Sequence, residues 1–259
     1  MTDTIVSVKA VELDYPVYSV RARSLRSIAA LAIGGTLMRH RSDSELYVRA
    51  LHGITFELKS GDRLAVMGAN GSGKSTLLRV LAGIYEPTRG QVLVNGRITS
   101  LLEIGAGLDP EATGARNIRL LASLRGYSPW RMTPKVQEII DFSGLGHFAG
   151  MPVKSYSSGM TMRLLFAVAT SFDHDVLLLE EWLSAGDESF VQQATQRMLS
   201  VAEQSRVIVT ATHSIALAEQ ICNKVLHLDH GQPVYFGPIA GYRRWHDVER
   251  GLPEAAAAQ

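Results

Sequence analysis

The 259-residue sequence predicts an α/β fold built on a mainly parallel sheet, and three observations indicate it. From residue 63 onward, short apolar strands alternate with segments of helical periodicity, which is the pattern of a parallel sheet. The glycine-rich turn "GANGSGKST" stands between the first of these strands and a helix. Residues 112–172 contain only helical patterns, so we expect a helical subdomain, spanning about residues 105–172, inserted into the alternation.

Two strands come before the alternation, at residues 5–13 and 46–59, and we expect them to be antiparallel N-terminal strands. The next strand, at residues 64–67, leads into a helix at residues 73–83 that begins at the glycine-rich turn. Short strands follow within residues 91–102. The first part of the chain therefore predicts a sheet with both antiparallel and parallel members.

The second half of the chain continues the alternation after the helical block. Within the block, Pro134 suits the first turn of a helix, and a further helix follows Gly159. Beyond it the sequence predicts the strand "DVLLLE", the helix "ESFVQQATQRMLSVAEQ", the strand "RVIVTAT", the helix "IALAEQIC" and the hairpin "VLHLDHGQPVYFG". We expect the alanine-rich residues 248–259 to form a flexible tail.

Composition excludes several classes of protein. Hydrophobic residues make up 46% and charged residues 20% of the chain, which is ordinary for a globular protein. The net charge of +1 argues against a nucleic-acid partner. Cys222, the single cysteine, has no intramolecular disulfide partner. The longest weakly apolar run, "SIAALAIGGTLM", has 12 residues and is too short to span a bilayer, so work at a membrane would require a partner.

Residues 19–45 form an unusual stretch between two predicted strands. Five arginines precede its first acidic residue, Asp43, and they are Arg21, Arg23, Arg26, Arg39 and Arg41. Its central piece, "LRSIAALAI", is compatible with a helix that has one apolar side. Two interpretations remain open. The stretch is either a helix packed on the chain's own sheet or a solvated basic loop, or it is a docking element for a membrane subunit or anionic lipid headgroups.

The glycine-rich turn fits the pattern G-x-x-x-x-G-K-[ST] in the context that this pattern requires, after a strand and before a helix. Gly68 and Gly73 allow the backbone to fold around an anion, with N–H groups pointing inward at a helix N-terminus. Lys74 supplies a positive charge to the β- and γ-phosphates, and Ser75 offers a hydroxyl to Mg²⁺. The remaining residues of the predicted nucleotide-binding loop are Asn70, Gly71, Ser72 and Thr76.

The predicted buried strand "VLLLE" ends at Glu180, and a second acid, Glu181, follows directly. A buried carboxylate is unfavourable unless a cation or hydrogen-bond donors meet it. In phosphate-loop enzymes, a carboxylate at the end of a neighbouring strand helps to hold Mg²⁺. Glu180 is the candidate for that role. Successive strand residues face opposite ways, so Glu181 is available to polarise the water that attacks the γ-phosphate.

Further landmarks give the chain a family resemblance. The turn "YSSGM" heads a helix and resembles the signature sequence of ABC transporter ATPases, at Ser157, Ser158 and Gly159. "LSAGD", which ends at Asp187, resembles the D-loop that follows the catalytic acid. His213, at a strand end, resembles the switch histidine that contacts the γ-phosphate. The chain therefore looks like the ATPase subunit of an ABC transporter over essentially its whole length.

The resemblance implies fold, ligands and partners. It implies one ABC ATPase domain at residues 1–247, ATP and Mg²⁺ as ligands, and a head-to-tail homodimer in which the signature of one copy closes over the nucleotide of the other. It also implies a transmembrane permease as partner in a two-plus-two complex. The expected location is peripheral, on the cytoplasmic face of the bacterial inner membrane.

A finer resemblance points to the ATPases of bacterial polysaccharide exporters, the Wzt type that serves O-antigen and galactan export. It is carried by "YSSGM", by "LLEIGAGLDPEATGARNI" and by "DYPVYSVRARSLRS" with the insertion that follows. The implied cargo is a lipid-linked polysaccharide, and the basic insertion together with residues 105–118 would face the membrane subunit and the lipid-linked glycan. Some relatives carry a C-terminal carbohydrate-binding domain, and we expect none here.

The chain departs from the family pattern at several positions. Glu103 stands where most transporters have the glutamine that contacts metal and water. Glu180 replaces the usual aspartate, and Ser158 replaces a signature glycine. For the aromatic ring that stacks on adenine, Tyr15 is the first candidate and Tyr18 the alternative.

Other functions account for less of the sequence. A small phosphate-loop kinase would not explain the signature turn, the D-loop and the switch histidine together. A soluble ABC protein that acts on ribosomes or DNA usually joins two ATPase units or inserts a long coiled coil, and this sequence shows neither pattern. A transporter with another cargo, such as capsule, teichoic acid, a lipid or a drug, is the remaining alternative.

Overall fold

The computed structural model describes residues 4–16, 36–39, 46–102, 105–128, 133–172, 174–180 and 188–249. The chain divides into two compact units. The first comprises Met1–Ile98, Asp175–Glu181 and Arg206–Gln259, and the second comprises Thr99–His174 and Trp182–Ser205. The second unit thus takes in the predicted subdomain at 105–172 and a further segment.

The strands are β1 (Thr4–Pro16), β2 (Thr36–Arg39), β3 (Leu46–Lys59), β4 (Arg63–Met67), β5 (Arg89–Val94), β6 (Ile98–Ser100), β7 (Val176–Glu180), β8 (Val207–Ala211), β9 (Lys224–Asp229) and β10 (Gln232–Pro238). The α-helices are α1 (Lys74–Leu81), α2 (Gly114–Leu124), α3 (Thr133–Ser143), α4 (Ser158–Ala169), α5 (Glu188–Gln204), α6 (Ile215–Ile221) and α7 (Ile239–Glu249). Short 3-10 turns lie at Gly146–Gly150 and Val153–Ser155.

An antiparallel sheet of the order β2-β3-β1-β5 begins the first unit. Buried and exposed side chains alternate along its strands, as expected for a sheet with one buried face, because successive side chains face opposite sides. In β3, Ile54, Phe56 and Leu58 are buried, whereas Thr55 and Glu57 are exposed. This alternation is the pattern from which the sequence predicted the strand.

The second sheet has the order β10-β9-β4-β8-β7-β6, with β6, where the division between the units falls, at its edge. Strands β9, β4, β8 and β7 run parallel, and β10 pairs antiparallel with β9. Leu64–Met67 and all of β8 are buried, as expected for strands covered on both faces. The predicted α/β fold, with a mainly parallel sheet and antiparallel N-terminal strands, is confirmed.

Parallel pairing brings three strand ends to one edge of this sheet. Val66 of β4 lies opposite Ala211 of β8, and Ala211 lies opposite Glu180 of β7. The residues that follow β4 and β8, and the last residue of β7, therefore meet at the carboxyl edge, where open α/β sheets bind their ligands.

The second unit is helical and has its own core. Ile118 and Leu121 of α2, Ile139 of α3, and Leu164 and Val168 of α4 are fully or almost fully buried in one cluster. The ring of Phe166 lies 5.9 Å from that of Phe190 on α5. These contacts account for the apolar periodicity that predicted the helices.

Two elements differ from the sequence-based expectation. β2 is a strand within the basic stretch, paired with β3 from Thr36↔Arg49 to Arg39↔Leu46, whereas the sequence predicted no strand there. The helical candidate "LRSIAALAI" lies outside the described residues. The last helix, α7, was not predicted. Among the residues that the structure describes, no helix is both long and apolar enough to cross a bilayer.

Candidate nucleotide-binding site

The phosphate loop connects β4 to α1 through backbone that only glycine adopts easily. Gly68, Gly71 and Gly73 have φ values of 139°, 80° and 102°, all on the positive side that L side chains disfavour. A Cβ at Gly68 would overlap the carbonyl oxygen of Leu228, and one at Gly73 would lie 2.9 Å from the carbonyl oxygen of Ala50. The glycines of the motif thus meet both a conformational and a steric requirement.

Lys74, the first residue of α1, reaches back into the loop. Its Nζ donates hydrogen bonds to the carbonyl oxygens of Gly68 and Ala69, each at 2.8 Å. The ammonium charge therefore lies at the loop and close to a helix N-terminus, which itself favours an anion. This arrangement suits the binding of a phosphate group.

Ser75 and Glu180 are brought together from distant parts of the chain. The Oγ of Ser75 donates a hydrogen bond to Oε1 of Glu180, at the end of β7. A hydroxyl oxygen and a carboxylate oxygen are ligands that Mg²⁺ prefers. The two side chains fit the metal role predicted for them, and the longer glutamate reaches the serine.

Tyr15 lies on β1 beside the start of α1. Its hydroxyl is 3.5 Å from Oγ1 of Thr76, and its ring makes an edge-to-face contact with Tyr85 at 5.7 Å between centroids. Burial raises the pKa of the Tyr15 hydroxyl, so the ring stays neutral. The alternative, Tyr18, lies outside the described residues.

His213 follows β8 and lies near the loop. Together with Gly68, Ala69, Trp245 and His246 it lines a cavity of about 700 Å³. The backbone before it is fixed, because the N–H of the buried Thr212 donates to the carbonyl of Val66 at 3.1 Å. The structure therefore places the predicted switch histidine beside the phosphate loop.

The signature turn belongs to the second unit. Ser157 is the N-cap of α4, and its side chain accepts a hydrogen bond from the N–H of Met160 at 3.2 Å. Ser158 is exposed and Gly159 is partly exposed. The preceding Tyr156 donates a 2.7 Å hydrogen bond to the carbonyl of Phe148, which fixes the approach to the helix. The N-terminus of α4 is thus accessible.

Three predicted site residues lie outside the described residues, and they are Glu103, Glu181 and Asp187. Their roles stay predictions.

The cavity beside His213 is also lined by Tyr242, Trp245 and His246 of α7, a helix that was not predicted from the sequence. The hydroxyl of the buried Tyr242 lies 2.6 Å from Nδ1 of His227 on β9. The signal was present in the sequence: apolar residues at 239, 242 and 245 recur every three positions after Pro238, a helical pattern.

The sheet topology, the glycine loop with its lysine, and the serine–carboxylate pair define a phosphate-loop nucleotide-binding protein. The family model described as "ABC transporter" matches residues 51–184, and the chain belongs to this family. It is accordingly an ABC-type ATPase, as the sequence predicted.

Curated relatives include three export proteins. The O-antigen export system ATP-binding protein RfbE of Yersinia enterocolitica is 42% identical, over 86% of this chain and 93% of that protein. RfbB of Myxococcus xanthus, of the same description, is 42% identical over 74% of this chain and 44% of its own length. The teichoic acids export ATP-binding protein TagH of Enterococcus faecalis is 40% identical over 73% of this chain and 42% of its own length. The chain thus spans less than half the length of the latter two.

Solved structures share the fold. An ATP-binding subunit of an ABC transporter has a TM-score of 0.69 at 20% identity and covers 94% of each chain. A dimeric ATP-binding cassette bound to ADP and Pi has a TM-score of 0.66 at 19% identity, over 90% of this chain and 98% of that one. These likenesses establish the ABC ATPase fold.

Proposed function

We propose that this chain hydrolyses ATP, with Mg²⁺, to power export of a lipid-linked polysaccharide of the O-antigen or galactan type through a separate membrane permease. The observation that carries the proposal is the 42% identity to an O-antigen export ATP-binding protein over 93% of that protein's length. Similarity that extends beyond the motifs to nearly the whole chain supports a shared task as well as a shared ATPase core.

In this proposal the phosphate loop binds the nucleotide. The backbone N–H groups of residues 70–71 and 73–76 and the ammonium of Lys74 hold the β- and γ-phosphates, and the ring of Tyr15 stacks on adenine. Ser75 and Glu180 hold Mg²⁺ in place of their present mutual hydrogen bond. The metal supplies neutralisation of charge on the β- and γ-phosphates.

Hydrolysis transfers the γ-phosphoryl group to water. Glu181 orients and polarises the attacking water, and His213 donates a hydrogen bond to the γ-phosphate. The bond between the γ-phosphorus and the bridging oxygen breaks, leaving ADP and phosphate. Such catalysis depends on positioning and charge stabilisation more than on covalent chemistry by the protein. On the family pattern Glu103 takes the place of the glutamine that contacts metal and water in most transporters, and it lies outside the described residues.

A second copy completes each site. We propose a head-to-tail homodimer in which Ser157, Ser158 and Gly159 of one copy cover the nucleotide of the other, with Asp187 at the interface. The accessible N-terminus of α4 supports this arrangement, because free N–H groups at a helix start bind phosphate. The first turn of α4 also contains no acidic residue that would repel it.

The membrane partner is a permease, in a complex with two copies of each subunit. We propose that residues 1–247 form a single ABC ATPase domain with the helical subdomain at about 105–172. The tail predicted at 248–259 begins within α7, which extends to Glu249, and its remaining residues lie outside the described residues. The basic insertion at 19–45 and the segment 105–118 would contact the permease. The ATPase would then lie peripherally on the cytoplasmic face of the inner membrane.

Teichoic acid export is the second candidate, because TagH of Enterococcus faecalis is 40% identical over 73% of this chain. Its lower coverage, 42% of TagH, favours the O-antigen type of cargo. Both candidates share a glycan on a lipid carrier, so an experiment that identifies the cargo separates them.

Depletion of the protein in its native cells tests the proposed cargo. We expect lipid-linked polysaccharide to accumulate on the cytoplasmic leaflet and to be lost from the cell surface, as measured by membrane fractionation and glycan labelling. Composition analysis of the accumulated glycan identifies the cargo. Unchanged surface glycan would contradict polysaccharide export while leaving the ATPase assignment in place.

A further inference from the structure

The turn between β9 and β10 lies directly against the phosphate loop. The N–H of Gly231 donates a hydrogen bond to the carbonyl of Ser72 at 3.0 Å, and the carbonyl of Gly231 accepts one from the N–H of His52 at 2.9 Å. One residue of the turn therefore joins the phosphate loop to β3 through both of its backbone polar groups.

There is no space for a side chain at this turn. Gly231 is buried and has φ +78°, and a Cβ there would overlap the carbonyl oxygen of Ala50 and lie 2.9 Å from Cδ2 of His52. The two ends of the loop are equally close to their neighbours, since Gly68 lies against Leu228 and Gly73 against Ala50. Backbone thus packs closely on backbone at both ends of the loop and at Gly231.

Ser72 is the residue of the loop that this packing holds. It is 3% exposed, and its N–H donates to the carbonyl of Ala69 at 3.1 Å. Its Oγ has no hydrogen-bond partner among the described residues, so the backbone, not the side chain, fixes its orientation. The hydrogen bond from Gly231 is consequently the link between Ser72 and the β-hairpin.

We infer that Gly231 is a positioning residue for nucleotide binding: it holds the phosphate loop in the conformation that points its N–H groups at the phosphates. A binding site whose donors are already oriented pays less to order them when the ligand arrives. In this role Gly231 acts through its hydrogen bonds to Ser72 and to His52 of β3. The inference rests on the proposed binding of ATP by this loop.

Gly231→Ala tests the inference in the full chain, with Gly53→Ala as the matched control. Gly53 also has positive φ, +63°, and lies on β3, but a Cβ there meets nothing within 4 Å. Both changes therefore introduce backbone strain, and only Gly231→Ala displaces the loop. We expect Gly231→Ala to raise Kd for a fluorescent ATP analogue about tenfold, which is the effect of losing one hydrogen bond between a loop N–H and a charged phosphate. Gly53→Ala should leave Kd unchanged.

Hydrolysis kinetics separate positioning from a merely structural role. We expect Gly231→Ala to raise KM for ATP and to change kcat at saturating ATP by less than about twofold. A rise in KM with nearly unchanged kcat indicates that binding, and not the chemical step, has been weakened. Equal losses of thermal stability in both variants, with Kd and KM unchanged in both, would overturn the inference. Failure of the parental chain to bind the analogue would instead overturn the proposed function.

Amide hydrogen exchange of the parental chain gives a test that does not depend on the variant's folding. ATP should slow exchange of the Gly231 N–H, because the bound nucleotide stabilises its acceptor, Ser72. The N–H of Gly61, which donates to Arg206 at 2.7 Å in another turn, should exchange at an unchanged rate. An ATP-independent rate at Gly231 would contradict the inference.

Discussion

Glu180 stands at the predicted metal position with a side chain one methylene longer than the aspartate of the family pattern. The carboxylate contacts the hydroxyl of Ser75 directly, although it stands where the family pattern has a shorter aspartate. β7 ends with Glu180 in register with Ala211, so the strand itself is regular. From this position the glutamate side chain reaches Ser75 on α1.

Ser72 carries the first prediction at the scale of single residues. Its buried Oγ lacks a partner among the described residues, and an unsatisfied buried hydroxyl costs about 1–3 kcal/mol. We expect Ser72→Ala to leave the free energy of unfolding unchanged or to raise it by about 1 kcal/mol. Chemical denaturation measures this difference.

Ser143→Ala is the matched control. Ser143 is fully buried, but its Oγ donates to the carbonyl of Ile140 at 2.9 Å. Removal of that hydroxyl should therefore lower the free energy of unfolding by about 1 kcal/mol. If Ser72→Ala destabilised the protein as much as Ser143→Ala does, the hydroxyl of Ser72 would have a partner after all.

Local chemistry explains which site residues could be predicted. Lys74 and Ser75 lie in a contiguous motif, and Glu180 ends an apolar strand, so each is visible in a short window of sequence. Gly231 is not visible in this way, because its role comes from contacts with Ser72 and His52, which are distant in the chain. A glycine in a hairpin turn is otherwise explained by turn geometry alone.

At the scale of elements, one arginine ties the antiparallel strands together. Arg49 of β3 makes a two-pronged contact with Asp14 of β1, at 2.7 and 3.0 Å, and an ion pair with Glu12 at 3.0 Å. The side chain of Arg49 is 12% exposed. The hydrogen bond and the negative charge of Asp14 outweigh burial and raise the pKa of Arg49, so the guanidinium stays charged.

We predict that Arg49→Met lowers the free energy of unfolding by about 2–3 kcal/mol, because it leaves the partly buried Asp14 without its cation and Glu12 with only the exposed Arg89. Arg89→Ala is the control, since Arg89 is 69% exposed and lies 3.7 Å from the same Glu12. An exposed pair of this kind contributes about 0–1 kcal/mol. Equal effects of the two changes, measured by thermal or chemical denaturation, would refute the structural role of Arg49.

Periodicity explains which elements could be predicted. The helix at 188–204 and strands such as β8 have patterns long or apolar enough to be recognised locally. β2 has only the four residues Thr36–Arg39, too few to show a period, and it exists through pairing with β3. A strand this short that depends on its neighbour is therefore not indicated by local sequence.

At the scale of the whole molecule, the site within one chain is incomplete in the proposed mechanism. The phosphate loop belongs to the first unit and the signature turn to the second. A head-to-tail dimer gives every nucleotide both parts, and its two-fold symmetry produces two equal sites. The sequence predicted this assembly only through the family resemblance, because spacing within one chain carries no information about a second copy.

Glu181→Gln should trap the ATP-bound dimer, since the amide neither polarises water nor adds negative charge beside the phosphates. We expect hydrolysis to fall by at least about 100-fold, the contribution of a general base, and ATP to shift the mass measured by light scattering from monomer to dimer. Retention of the parental hydrolysis rate would show that another residue activates the water.

The same background tests whether the signature turn closes the dimer. Adding Ser158→Asp places a negative charge in the first turn of α4, where it stabilises the helix but repels a nucleotide phosphate of the other copy. We therefore expect loss of the ATP-dependent dimer with no loss of thermal stability. Ser60→Asp, the same change at an exposed turn residue, should leave the dimer intact. A dimer that persists with Ser158→Asp would mean that the two copies meet through another surface.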